Sequence, residues 1–253
     1  MNQNMSKLYF KTNGNPDCKI GDEVISITMR SMNKAKHKTP TKRPWVFYTE
    51  VFDTNRLCVW KKLVAFRDFG ILGGGTALAL LLNHRISYDF DIFCLKPIKK
   101  KVSLLVKNIF NDVSFDVLVD SSDELTVDLE GLKLTFLYYP FKKEFEEIKT
   151  ESISLFDVRD LATAKAYAVG RRGVWRDYFD IYFLLKSREV DLESLLKMSK
   201  DRYRSLFSEK LFLEQLCYFD DISDFSIEYG RGQTKIEETE VKKYLTETVG
   251  QVV

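Results

Sequence analysis

Residues 73–91 read GGGTALALLLNHRISYDFD. Three glycines and a threonine run into an apolar stretch, which ends in a polar patch and two aspartates one residue apart. The preceding FGILGGG reads as a short buried strand meeting a turn, because glycines supply the backbone freedom of a sharp corner. TALALLLNH is rich in helix formers. YDFDIFCL then alternates polar and apolar residues, the mark of a strand with two distinct faces. On such a strand Asp89 and Asp91 project together, while Phe90 and Ile92 point into the core. Two carboxylates a strand step apart repel each other unless a cation sits between them, and oxygen-rich pairs suit Mg²⁺ or Mn²⁺. A helix that starts at a glycine corner offers free N–H groups and a positive dipole end, a seat for phosphate. Taken singly, the glycine run reads as a tight turn and the Asp pair as a solvated strand edge. The run is not a Walker A loop, since no Gly-Lys-Ser/Thr follows, and Leu78 stands where a dinucleotide fingerprint needs its last glycine.

Outward from this stretch, the chain has 253 residues, net charge +2 and four cysteines. The cysteines (Cys18, Cys58, Cys94, Cys217) lie far apart without CxxC or Cys/His pairing, so neither a zinc site nor a disulfide framework is expected. No run of about 18 apolar residues exists, so no membrane span or membrane partner is expected. MNQNMSKLYFKTNG lacks the apolar run of a secretory signal, and a cytoplasmic location is expected. The charge is uneven: RSMNKAKHKTPTKRP at 30–44 and KPIKKK at 96–101 are basic. Solvated loop charge explains both, and contact with a phosphate backbone is the alternative.

EVISITM at 23–29 is strand-like, and NRLCVWKKLVAFR at 55–67 has helical spacing. KKVSLLVKNIF reads as a helix, VSFDVLVD as a strand, and LTVDLEGLKLTFLYYP as a hairpin turned at Glu130-Gly131. From Ser152 onward the pattern is helical. Three segments follow: an N-terminal extension with its basic stretch (1–45), a mixed α/β domain (46–150) and a helical domain (151–253) that contributes to the site. The expected class is α+β.

Gly75-Thr76, a helix, then Asp89-x-Asp91 resembles the Gly-Ser…Asp-x-Asp signature of the DNA polymerase β-like nucleotidyltransferase superfamily, with Thr76 in the serine position. More narrowly, GGTALALLLNHRISYDFDIF resembles the AbiEii/AbiGii family, the nucleotidyltransferase toxins of abortive-infection systems. That family carries a lysine helix followed by an RD-x-x-D helix, matched here by DLATAKAYAVGRRGVWRDYFDIYFLL with Lys165, Arg171, Arg172, Arg176, Asp177 and Asp180. The resemblance spans roughly residues 60–186. It implies a polymerase β-like domain with a mixed sheet followed by an all-helical domain. It also implies Mg²⁺ (or Mn²⁺) on Asp89 and Asp91, and an NTP donor such as GTP. Gly74, Gly75, Thr76, Ser87, Arg172, Arg176 and Asp177 would bind the nucleotide, with Lys165 on the triphosphate. An RNA acceptor such as a tRNA 3′ end and a cognate antitoxin are the implied partners.

Lys165 and Arg172 lie seven apart, which on one helix places them on one face. Arg176 and Asp180 are four apart, the spacing of a simple intrahelical ion pair. Ser87, two residues before Asp89, faces the same way as the pair. His84 and Arg85 match the family's polar patch, and a helix C-cap role suits His84 equally. Many polymerase β-like enzymes carry a third carboxylate on a later strand. LKLTFLYYP offers Thr135 there; Asp116 is a substitute that reads more simply as a solvent-facing strand residue, and the resemblance favours Asp180 for completing the acidic site. The expected function is NTP-dependent nucleotide transfer. Its rivals are nucleotidylation of a protein or small molecule, a glycosyltransferase using DxD, and a nucleotide-binding module without turnover.

Overall fold

A computed structural model describes residues 45–230 and 232–252. The strand-like segment 23–29 and the basic stretch 30–44 lie outside the described residues. The first helix, α1 (Thr54–Lys62), starts where the Asp53 side chain accepts the Arg56 N–H at 2.8 Å, relieving one of the orphan donors of a helix start. The chain then enters β1 (Ile71–Leu72), both residues buried. Next comes α2 (Gly74–Leu82), which Asn83 ends in the left-handed conformation at φ 49°. Strand β2 (Phe90–Cys94) buries alternate residues, as its period-2 pattern requires. Helix α3 (Lys100–Ile109) leads to β3 (Asp116–Asp120), β4 (Glu124–Leu129) and β5 (Leu132–Tyr138).

The five strands form one mixed sheet in the order β1-β2-β5-β4-β3. All pairs are antiparallel except β2 with β5. The β4–β5 hairpin turns at Glu130 (φ 55°) and Gly131 (φ 91°), the two left-handed positions of a tight hairpin. One sheet face carries Phe90, Ile92, Leu134, Phe136, Leu125 and Val127, all buried in the core. On the other face Asp91 stands opposite Thr135, and Thr135 opposite Thr126. Strand β3 is the far edge and exposed along its length.

After β5 the chain returns to the opposite edge. Leu72 donates to the Ser154 carbonyl at 2.9 Å and Phe156 donates to the Leu72 carbonyl at 3.0 Å. This delivers α4 (Val158–Val169) beside the start of α2. Helices α5 (Trp175–Lys186), α6 (Leu192–Tyr203), α7 (Glu209–Leu216) and α8 (Glu238–Val249) complete the chain. No helix among the described residues is long and apolar enough to cross a membrane. One expectation is corrected here. Helix α4 ends at Val169, with Gly170 as its C-cap, so Lys165 and Arg172 do not share a helix.

Candidate active site

The glycine corner packs directly on the aspartate strand. Gly73 donates its N–H to the Asp91 carbonyl at 2.9 Å. A Cβ on Gly74, whose φ is +65°, would stand 2.3 Å from Asp91 Oδ2. A Cβ on Gly75 would stand 2.4 Å from Arg85 Nη2 and 2.9 Å from Ser87 Oγ. Both positions therefore need glycine for close approach, and Gly74 needs it for its backbone as well. The N–H groups of Gly74, Gly75 and Thr76 belong to the first turn of α2 and have no acceptor within the helix.

The Thr76 side chain has a different place from the one expected. It is buried, and its hydroxyl donates to the Asp89 carbonyl and lies 3.0 Å from Ser87 Oγ. It ties the corner to the strand, and only its backbone N–H remains to meet a phosphate. Ser87 is buried with it, its carbonyl accepting from Arg56 Nη1 at 3.1 Å. That guanidinium also lies 4.1 Å over the Tyr88 ring, fixing the entry to the aspartates.

Asp89 immediately precedes β2 and Asp91 is its second residue, each partly accessible. Burial, seconded by the negative charge of Asp89, pushes the Asp91 carboxyl above its ordinary value, against the pull of Lys165. Among the described residues no three His, Cys, Asp or Glu side chains converge as a metal cluster. The sheet thus supplies a carboxylate pair. Thr135 occupies the neighbouring position on β5, and Asp116 lies on the exposed far edge, across β5 and β4 from the pair. The pair nonetheless fits a hard divalent cation, because added positive charge would offset both the mutual repulsion and the burial of Asp91.

From the helical half, α4 and α5 bring a second set of charges. Lys165 is buried, with its ammonium 2.6 Å from Asp177 Oδ1 and 2.7 Å from Asp180 Oδ2. Burial alone would depress its pKa; Asp177 and Asp180 overcome that and raise it. Arg172, in the loop after α4, grips the other oxygen of Asp177 through Nε at 2.9 Å and Nη2 at 2.8 Å. The two cations placed seven apart in sequence thus meet at Asp177, although not by sharing a helix face. Arg176 is exposed and exerts its pull on Asp224. No Arg176–Asp180 pair forms among the described residues.

Asp180 is fully buried, with both oxygens engaged. Oδ1 receives His84 Nε2 at 2.7 Å and Arg85 Nε at 2.7 Å; Oδ2 receives Arg85 Nη2 at 2.9 Å and Lys165 at 2.7 Å. Against the upward push of burial, Arg85 and Lys165 hold its carboxyl well below the ordinary value. The expectation that Asp180 completes an acidic metal site meets a carboxylate whose two oxygens are already taken by Arg85, His84 and Lys165. His84 accordingly serves this carboxylate and not a helix cap; Asn83 ends α2. The sequence reading named Arg85 only as part of a polar patch. Nothing in local spacing identifies a partner 95 positions away.

The chain is 32% identical over 182 residues to the uncharacterized protein aq_aa25 of Aquifex aeolicus (strain VF5), a span of 69% of this chain and 87% of that protein. Among solved structures it is similar to MenT4, a nucleotidyltransferase toxin from Mycobacterium tuberculosis H37Rv, with a TM-score of 0.53, 14% identity, and coverage of 76% of this chain and 80% of that one. It is also similar to JHP933 from Helicobacter pylori, with a TM-score of 0.47, 20% identity, and coverage of 78% and 90%. No protein-family model matches. The likeness to MenT4 shows the fold, an α+β architecture in which a mixed sheet is followed by helices.

Proposed function

This chain belongs to the family of the Aquifex aeolicus protein aq_aa25, and from the geometry of its site we propose that it is a nucleotidyltransferase, moving a nucleotide from an NTP to an acceptor hydroxyl. One observation carries the reading. The free N–H groups of the α2 corner and the carboxylates of β2 share one surface, so close that a Cβ on Gly74 would lie 2.3 Å from Asp91 Oδ2. A phosphate seat and a cation seat in contact are what a metal–triphosphate complex needs.

Asp89 and Asp91 would hold Mg²⁺ or Mn²⁺, which when bound offsets charge on the triphosphate and the leaving pyrophosphate. The N–H groups of Gly74, Gly75 and Thr76 bind phosphate oxygens. Lys165 adds positive charge beside them. Arg172, with its side chain 60% exposed, meets the outer phosphates from the loop after α4. The acceptor hydroxyl loses its proton to water, its oxygen bonds to the α-phosphorus, the bond to the bridging oxygen breaks, and pyrophosphate departs. The protein's part is orientation and electrostatic stabilisation.

At finer grain, the chain is a toxin of the AbiEii/AbiGii type, restrained by a cognate antitoxin. GTP or another NTP is the donor and RNA, such as a tRNA 3′ end, the acceptor. The resemblance over residues 60–186 and the fold shared with a nucleotidyltransferase toxin support this, and the basic stretches 30–44 and 96–101 are compatible with an RNA acceptor. A second reading, nucleotide binding without turnover, is favoured by Thr135 in the place of a third carboxylate. Incubation with Mg²⁺, each α-³²P-labelled NTP in turn and total cellular RNA separates them. Label in a tRNA-sized band, lost in a folded Asp89→Ala variant, is the expected result. Label in protein or a small metabolite would redirect the acceptor. Turnover retained in Asp89→Ala would sink the mechanism, and tight binding without product would leave the second reading standing.

A further inference from the structure

Arg85 makes no contact with the aspartate pair, yet it touches both elements that would hold the triphosphate. Its Nε and Nη2 form a two-pronged bond to Asp180 at 2.7 and 2.9 Å, and Nη1 donates to the Ile86 carbonyl at 2.9 Å. The same Nη2 fills the place where a side chain on Gly75 would begin, 2.4 Å from that Cβ position. A planar guanidinium offers this fork where an ammonium cannot.

Asp180 is held on its other side as well. His84 Nε2 reaches Oδ1 at 2.7 Å, with its ring 6.0 Å from Phe179 and 5.1 Å from Phe183 between centroids. With Oδ1 shared by Arg85 and His84, the carboxylate plane is fixed by the loop between α2 and β2. Its remaining oxygen then sets the direction of Lys165. An ammonium has three donors. Asp177 and Asp180 take two of those on Lys165, leaving one free in a direction those two carboxylates determine.

From this geometry we propose that Arg85 is a positioning residue of the nucleotide site. Through Asp180 it aims the remaining N–H of Lys165 at the phosphate seat, beside the Gly75 corner on which it packs. One buried guanidinium thereby keeps a lysine from the helical half in register with a corner from the sheet half. The inference rests on the nucleotide-binding reading above.

A merely structural ion pair would alter stability without choosing between ligands, so the test compares ligands. Titration calorimetry with Mg²⁺ and whichever of the four NTPs wild type binds best, and with the matching nucleoside, is carried out on wild type, Arg85→Lys, Lys165→Met and the double variant. Arg85→Lys is expected to raise the triphosphate Kd roughly tenfold and leave nucleoside binding within about twofold. In the double variant the triphosphate Kd should match that of Lys165→Met alone, because the two changes remove one interaction. Equal weakening of triphosphate and nucleoside, an unchanged triphosphate Kd in Arg85→Lys or Lys165→Met, or losses that multiply in the double variant would overturn the inference. If Arg85→Lys does not fold, Arg85→Gln replaces it. That change keeps a donor toward Asp180 without the two-pronged fork, and the same selective, Lys165-dependent loss is expected. Wild type that binds no NTP overturns the nucleotide reading, and this inference with it. Wild type that binds NTP with Lys165→Met weakened and Arg85→Lys unaffected overturns the positioning role alone.

Discussion

Asp91 and Asp180 are the same side chain in opposite surroundings. Asp91, on the sheet, has a like charge two residues away and a carboxyl pushed up by its burial. Asp180, on α5, is more deeply buried yet held down by Arg85 and Lys165, with His84 closing its hydrogen-bond shell. Burial acts in the same direction on both; direct bonds from Arg85, Lys165 and His84 at Asp180, against like-charged neighbours at Asp91, reverse the outcome. A carboxylate short of positive charge is a place for a ligand cation. One supplied by its own protein is a fastening.

The sharpest way to break this contrast is to remove each aspartate. Asp180→Ala strands the buried Arg85 and leaves Lys165 with Asp177 alone, and the expected cost is about 3–5 kcal/mol of unfolding free energy, read by urea denaturation with the nucleotide absent. A cost below about 1 kcal/mol would show that Asp180 is no fastening. Asp91→Asn should do the reverse: nucleotide transfer falls at least about a hundredfold, while the urea midpoint stays level or rises because a repulsion is gone. A large drop in midpoint would place Asp91 with Asp180 as a structural group.

Acid sharpens the comparison further. His84 is lowered from 6.5 by burial, so the unfolded chain takes up a proton that the folded chain resists. Stability from this group is present above about pH 6.5 and declines below it. Asp180 is lowered from 3.8, so its contribution is present above that value and is lost as pH falls further. Urea midpoints between pH 8 and 2.5 should therefore drop in two stages, and His84→Gln should remove the upper one. A midpoint that is flat down to pH 4 in wild type would contradict the first stage.

The smallest effect is expected at Arg172, which grips Asp177 from a largely exposed position. Solvent screening keeps the stability cost of Arg172→Ala below about 1 kcal/mol. Triphosphate affinity should nevertheless fall several-fold, since the group faces the outer phosphates. Loss of stability beyond that bound, with unchanged affinity, would move Arg172 to the structural side of the comparison.

Much of the sheet half was legible beforehand. Alternation in FDIFC assigned Phe90 and Ile92 to the core, and Glu130-Gly131 located the hairpin turn, because both signals act between neighbours in sequence. The glycine corner was legible as a corner, but the reason for each glycine was not. Gly74 makes room for Asp91 and Gly75 for Arg85, and neither contact is visible in a spacing rule. Thr76 was legible as part of the corner, while only the fold reveals that its hydroxyl points inward to Asp89 and Ser87. Arg176 and Asp180 had the spacing of an intrahelical pair, and Asp180 instead took partners 95, 96 and 15 positions away.

The sequence by itself determined the local pieces: a strand whose carboxylates share a face, a helix opened by glycines, and a hairpin, all set by backbone sterics and side-chain period. Only the tertiary structure decided which charge answers which. Helix ends and loops brought Lys165 and Arg172 to Asp177, and Arg85 to Asp180. Electrostatic partnership depends on distance and burial in the folded chain. Sequence separation carries no information about either once the chain has turned back on itself.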